Sequence, residues 1–293
     1  MVTDRKIIVS NGSTSLDITD PPYYVTKTEG FDALDVQIVT SQGFDQDGAD
    51  EINKIVQPRD MEIVGRFKAD TTEQMQDMHD KLLRLFIAKK ILTITHYYGG
   101  KNRMIKASVT KTPHFEFTEV STVQEYKVRL QAADPYWSDP TETFVQIANI
   151  TGGFHFPIAV HKDVGMVFGV KSASLIANVF NKSSINVGMK FVFIAKGTVI
   201  NPQLFNVNTR EFLKINCEMT AGETITVTTG NDKTVTRNKQ GIESDYIGKV
   251  DLAGGGNSFL ELSPGDNLLR YAADSGEDLL EIKIMFWNKY QGV

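Results

Sequence analysis

Four carboxylates crowd one short stretch of this 293-residue chain: Asp45, Asp47, Asp50 and Glu51. Such a cluster suggests calcium, but an EF-hand loop opening at Asp45 needs glycine at position 50 and glutamate at position 56. The chain has Asp50 and Val56 there, so a solvated acidic loop is the better reading. The five histidines, His79, His96, His114, His155 and His161, show neither HxH nor HExxH spacing. Metal binding needs several ligands converging at about 2 Å, and this spacing promises no metal site. Cys217 is the single cysteine and lies in an alternating apolar series, which points its thiol toward a core rather than toward a base. Gly254-Gly255-Gly256 is followed by Asn257 and Ser258 and lacks the lysine of a phosphate-binding loop. There is no G-x-S-x-G elbow, and a glycosidase acid pair among 36 acidic residues cannot be read from spacing. Asn11, Asn149 and Asn181 match the glycosylation sequon, read here as chance matches. The expectation is a protein with no catalytic residues, no cofactor and no metal.

Two features point to binding instead. Trp287 and Tyr290 close the last strand, where Glu281, Lys283, Met285 and Trp287 share the face opposite an apolar series. An exposed tryptophan beside polar groups is a platform for a sugar ring or a protein partner, whereas a buried one merely covers the sheet end. The second feature is the stretch Ser41–Asp60, which carries Gly43, Gly48 and Pro58 yet includes Phe44, Ile52, Ile55 and Val56. A loop of about twenty residues is unusual without a task. Its apolar side chains need cover, either from their own sheet or from a neighbouring subunit on which the stretch lies as an arm.

The elements that must position these groups differ between the two halves. Residues 1–143 hold 17 Lys+Arg and 22 Asp+Glu, a net charge of −5, while residues 144–293 hold 14 of each. The mild overall acidity offers no basic field for nucleic acid. Apolar runs reach about five residues, far short of the roughly 18 that a membrane span needs. Met1-Val2-Thr3-Asp4-Arg5-Lys6 leads into only three apolar residues, too few for a signal peptide, so synthesis in the cytoplasm of the producing cell is expected.

In the first half, Leu34/Val36/Ile38, Met61/Ile63/Gly65/Phe67 and Tyr126/Val128/Leu130/Ala132 alternate with polar residues as half-buried strands do. Ile91–Tyr98 and Met104–Thr110 flank Gly99-Gly100-Lys101-Asn102, a hairpin turn. A helix is expected over about Thr71–Lys90, capped by Asp70 with Glu73 reaching back. Its stripe of Met75, Met78, Leu82, Leu85 and Phe86 would pack on the sheet, with a Met-rich docking groove as the rival reading. Asp134-Pro135-Tyr136-Trp137-Ser138-Asp139-Pro140 marks the join, giving domains 1–137 and 138–293. The second half reads as short strands: Met189–Ala195, Leu213–Met219, Thr224–Thr228, Thr234–Thr236, Leu260–Leu262 and Leu280–Trp287. Turns such as Ala221-Gly222, Gly230-Asn231-Asp232 and Pro264-Gly265-Asp266-Asn267 separate them. That spacing predicts an antiparallel β-sandwich or jelly roll, so the chain as a whole is mainly β with one α+β domain.

The order of these parts resembles the distal tail protein (Dit) family of long-tailed bacteriophages and prophages. In the first half the resemblance rests on Tyr23-Tyr24-Val25 leading to Glu29-Gly30, the helix from Thr71, and Ala133-Asp134-Pro135-Tyr136-Trp137. In the second it rests on Asn201-Pro202, Asn206 with Thr209-Arg210-Glu211, Leu213-Lys214-Ile215-Asn216, Gly222-Glu223-Thr224-Ile225, Phe259-Leu260-Glu261-Leu262 and Gly265-Asp266-Asn267. The resemblance implies a tail-tube-like first domain that assembles into a hexameric ring, and an outward galectin-like β-sandwich. It implies a virion structural protein of the tail tip or baseplate, made late and serving host attachment. Its implied partners are the tail tube protein, the tail-associated lysin or tip protein, and receptor-binding proteins carried by the outer domains. The stretch Ser41–Asp60 would match the family's belting arm, and the genome would pass through the ring without sequence-specific contact. An acidic lumen would repel DNA, which suits a conduit. The competing expectation is a carbohydrate-binding module contacting host cell-wall sugars through Trp287. A third, a wall hydrolase, has no motif behind it.

Overall fold

The computed structural model describes residues 5–116, 122–147, 150–152, 169–171, 175–251 and 258–293. His155, His161, Asn149 and the Gly254–Gly256 run lie outside these residues. The chain divides into two units, Met1–Pro140 with Lys289–Val293, and Thr141–Asn288. The expected boundary lay at 137/138 with a single crossing, whereas here residues 289–293 return to the first unit. Nothing in their composition announces that return.

The first unit is built on one antiparallel sheet. Its strands are β1 (Lys6–Ser10), β2 (Ser15–Asp17), β3 (Tyr23–Glu29), β6 (Arg59–Lys68), β7 (Ile91–Tyr98), β8 (Lys101–Glu116), β9 (Val123–Ala132) and β10 (Trp137–Ser138). A separate pair, β4 (Val36–Ser41) and β5 (Asp50–Val56), stands outside it. The main order is β2-β1-β7-β8-β9-β6-β3, and β10 joins through Ser138 opposite Met104. The strand Lys289–Tyr290 pairs with β10, Trp137 facing Tyr290 and Ser138 facing Lys289. The β7–β8 turn is Gly99-Gly100, both with positive φ, between the paired Tyr98 and Lys101. Two successive left-handed residues make the turn whose twist matches the flanking strands, and glycine adopts them without steric cost.

The helix α1 spans Thr72–Leu85, shorter than expected. Its cap is Thr71 rather than Asp70: Thr71 Oγ1 accepts from Gln74 N at 3.2 Å, and Gln74 Oε1 accepts from Asp70 N at 3.1 Å. Asn11 closes the other end, its Nδ2 donating to the carbonyls of Arg84 (2.8 Å) and Leu85 (3.1 Å). Two otherwise unpaired helix carbonyls are satisfied in this way. Leu82, Leu85 and Phe86 are fully buried against Ile7, Ile63, Phe67, Leu92, Ile94, Val128 and Leu130, with Met75 and Met78 partly covered. The stripe is therefore core packing and no Met-rich groove, each large side chain contributing about 2 kcal/mol.

In the second unit two antiparallel sheets share one apolar core. One has the order Thr143–Ile147, Leu280–Phe286, Lys190–Ala195, Thr224–Thr228, Thr234–Lys239, Ile242–Asp245. The other runs Ile176–Asn181, Gly265–Ala272, Gln203–Asn206, Phe212–Lys214. Phe191, Phe193, Ala195, Ile225, Val227, Leu280, Ile282 and Ile284 are all fully buried, as the alternation requires. The Leu213–Met219 series is not one strand. It splits into Phe212–Lys214 and Glu218–Met219; Val199 and Ile200 pair with the second piece, and Asn201 Oδ1 accepts from Cys217 N between the two.

Candidate functional site

Sequence alternation places Val36 and Ile38 in a half-buried strand, and the structure overturns that. Residues 36–41 and 50–56 form a two-stranded hairpin that pairs with no other described strand. Only residues 42–49 and 57–58 of the expected loop are loop; Asp50–Val56 is strand, with a register shift at Ile52. Val36, Ile38, Ile52 and Ile55 are exposed, Val56 is partly covered, and Phe44 at the tip is fully exposed. Alternation specifies an extended backbone, but which surface covers the apolar face is a tertiary matter. A lone hairpin is marginal in water, so this one requires support.

Part of that support is at its root. Asp35 O accepts from Gln57 N at 2.8 Å, and Gln57 Nε2 donates to Gln37 Oε1 at 3.1 Å. Three residues beyond the hairpin stands Arg59, almost completely buried. Its guanidinium donates to Gly30 O (2.6 Å), Ala33 O (3.0 Å), Pro135 O (2.6 Å) and Gln291 O. Burial pulls its pKa down, and nearby Asp32 and Asp35 oppose that pull. One planar cation thus ties both roots of the hairpin to the β9–β10 connection and to the returning strand, a task suited to the five fixed donors of arginine. A Cβ on Gly30 would meet Asp60 O at 1.9 Å, and Gly30 has φ +74°, so this crossing accepts only glycine. Nothing in the pattern around Arg59 distinguishes it from a solvent-facing strand residue.

At the tip, Gln46 organises the loop. Its Oε1 accepts from Gly43 N at 2.8 Å, and its backbone carbonyl accepts from Gln42 Nε2 at 2.8 Å. Asp45, Asp47, Asp50 and Glu51 follow Phe44 in sequence, and no metal-holding carboxylate group forms among the described residues.

Other polar clusters are structural. On the sheet face opposite α1, an open groove of about 420 Å³ is lined by Glu29, Asp60, Met61, Glu62, Thr110, Arg129 and Leu130. Glu62 meets Lys127 at 2.6 Å and Arg129 at 2.9 Å, and the bond from Lys127 foremost holds its carboxyl below the usual range. That face is charge-paired rather than uniformly acidic. In the second unit, burial pushes Glu223 up, but bonds from Lys239, Arg237 and Thr220 outweigh it and hold it at about 2. Among the described residues every displaced carboxylate, Asp17, Glu62, Glu223 and Asp274, is displaced downward, the opposite of what a general acid needs. Burial pushes the Cys217 thiol up to about 11, against nucleophilic use.

His79 is buried, stacked on Phe115 at 4.0 Å and bonded to Gln124 Oε1. His96 is buried beside Trp137 and accepts from Arg5 Nε at 3.0 Å. Burial, then the charge of Arg5, lowers its pKa to about 4. Both histidines serve the core. The sequon residues Asn11 and Asn181 are also buried; Asn11 holds helix carbonyls, and Asn181 holds the carbonyls of Ile185 and Leu262.

The two aromatic candidates separate. Tyr290 belongs to the first unit, where Arg103 sits 4.1 Å from its ring centroid. Trp287 belongs to the second and is 41% exposed, just past its strand. Its expected neighbours Glu281, Lys283 and Met285 are half-buried, because their strand is flanked on both sides. Phe144, opposite Met285, is exposed.

No protein-family model matches the chain, and no curated protein matches its sequence significantly. Solved structures do match in fold. One is the SPP1 Dit protein, described as a paradigm of the hub adsorption apparatus in phages infecting Gram-positive bacteria. It is 12% identical with a TM-score of 0.69, over 97% of this chain and 98% of that one. Another is the phage p2 baseplate in its activated conformation with strontium, 12% identical with a TM-score of 0.53 over 99% of each chain. The calcium-bound form of that baseplate matches equally. The chain therefore has a Dit-like, mainly β fold over essentially its whole length.

Proposed function

We propose that this chain is a structural hub of a phage tail tip, which assembles with copies of itself into a ring at the end of the tail tube and performs no catalysis. The observation that carries the reading is the match of both units together, end to end, to a protein described as a hub of an adsorption apparatus. The unpaired hairpin supports it. A ring of identical subunits joins unlike surfaces, so one copy supplies an arm and the next supplies its cover. Six copies, a tail tube protein on one side and a tip protein or lysin on the other, with receptor-binding proteins attached outside, complete the proposal. The charge-paired sheet face and acidic first half offer DNA no basic track, consistent with passage of a genome.

Light scattering of the purified chain, alone and mixed with tail partners, followed by electron microscopy, tests this. A ring is expected. A chain monomeric at every concentration, with and without those partners, overturns the reading. The exposed Trp287 favours a second reading as a carbohydrate-binding surface. Binding of cell-wall glycan that is abolished by Trp287→Ala would establish it.

A further inference from the structure

Besides the hairpin, the first unit leaves a second apolar surface uncovered. Leu83 on α1 and Ile87 just beyond its end are exposed, 44% and 38%, outside the buried stripe of Leu82, Leu85 and Phe86. Four cations, Lys81, Arg84, Lys89 and Lys90, fall within residues 81–90, which contain no acidic residue. Lys81, Arg84 and Lys89 are exposed, and Lys90 donates to Ser13 Oγ at 2.9 Å. Asp80, one turn back, is engaged with Gln76 Nε2 at 3.2 Å. The local field around Leu83 and Ile87 is therefore positive.

The hairpin is its complement. Between residues 35 and 57 there are five carboxylates, Asp35, Asp45, Asp47, Asp50 and Glu51, against the single cation Lys54. Glu51 already pairs with Lys54 at 2.9 Å, which leaves the excess negative charge around Phe44. A strand of seven residues spans roughly 20 Å, long enough to carry that tip away from its root. Complementary fields fix register and speed encounter, while the apolar contact beneath supplies the affinity.

We infer that the acidic tip of one copy's hairpin docks on the basic-rimmed Leu83/Ile87 patch at the end of α1 in an adjacent copy, Phe44 covering the apolar surface. The inference rests on the proposed ring and names the acceptor surface within it. Each copy then carries one donor and one acceptor, so the contact propagates until the ring closes.

Charge reversal in the full chain tests it. Arg84→Glu with Lys89→Glu, or Asp47→Lys with Asp50→Lys, is expected to raise the midpoint concentration of assembly about tenfold or more. The four substitutions together should recover most of the loss, and raising salt should weaken wild-type assembly. All these positions are exposed, so unchanged melting curves should accompany the effect. As an independent readout, a photo-crosslinking side chain at position 44 should capture peptides containing Leu83 and Ile87 of a second copy. A wild-type ring lost on shortening the hairpin but indifferent to Arg84→Glu/Lys89→Glu, or a crosslink that maps elsewhere, overturns the acceptor and leaves the ring standing. A wild-type chain that never assembles, alone or with tail partners, overturns the ring and the acceptor together.

Discussion

Two hairpins of the first unit begin from similar sequence patterns and end in opposite environments. In β7–β8, Leu92, Ile94, Ile105 and Ala107 alternate with polar residues and are buried, because β1 and β9 flank the pair and α1 covers it. In β4–β5, Val36 and Ile38 alternate in the same manner while Ile52 and Ile55 stand three apart across a register shift, and all four are exposed, because no described strand flanks the pair. Alternation in a sequence reports the extended backbone. Where cover comes from is decided by connectivity, and among the described strands none supplies it to β4–β5.

That contrast can be broken in several ways. The largest effect is expected at the shared anchor. Arg59→Ala leaves four carbonyls without their donor and should cost about 4 kcal/mol of stability in the first unit, read by denaturant unfolding. Arg59→Lys should rescue it only partly, since an ammonium has three donors. Next, Ile94→Ala in the embedded hairpin should cost about 3 kcal/mol. Ile38→Ala in the free hairpin should cost under about 0.5 kcal/mol in the monomer, yet weaken assembly. Equal monomer costs at the two positions would mean the free hairpin is covered within its own chain.

A pH experiment separates the hairpins further. His96 lies on β7, and its folded pKa of about 4 stands below the ordinary 6.5. A histidine kept neutral by folding contributes stability that is complete above pH 6.5 and is lost as the pH falls from 6.5 toward 4. The loss should be on the order of 2 kcal/mol, and His96→Gln should flatten that part of the profile. The smallest effect is expected at Trp287→Ala, which should shift stability by about 0.5 kcal/mol or less, since the ring is partly exposed.

Much of this was legible in the residues. The buried series Met61–Phe67, Tyr126–Ala132 and Leu280–Phe286 follow the two-residue period that a covered sheet face imposes. The Asn206 and Asn267 turns were also visible: Asn206 Oδ1 accepts from Asn208 N, and Asn267 Nδ2 donates to Ser263 O, Gly265 O and Val179 O. Short-range patterns such as these carry their own geometry. Arg59 was invisible because its four acceptors come from residues 30, 33, 135 and 291, and no local pattern encodes such distances. The cap falls one residue from the Asp70 that the pattern suggests, because Asp and Thr cap comparably and only one residue of register separates the two choices. The exposed Leu83 and Ile87 at the end of α1 carry no signal in the sequence, because scattered surface leucines are ordinary. Only their position within a cationic decade sets them apart.

The strand Lys289–Tyr290 also imposes an order in time. It supplies the partner of β10, and Gln291 supplies the last carbonyl to Arg59. During synthesis both emerge only after residues 141–288, so the second unit is translated in full while the first still lacks its final strand. The roots of the β4–β5 hairpin, gathered by the same arginine, are thus locked last. A nascent chain still on the ribosome holds its hairpin loosely, which would delay the proposed self-association until translation of both units is done.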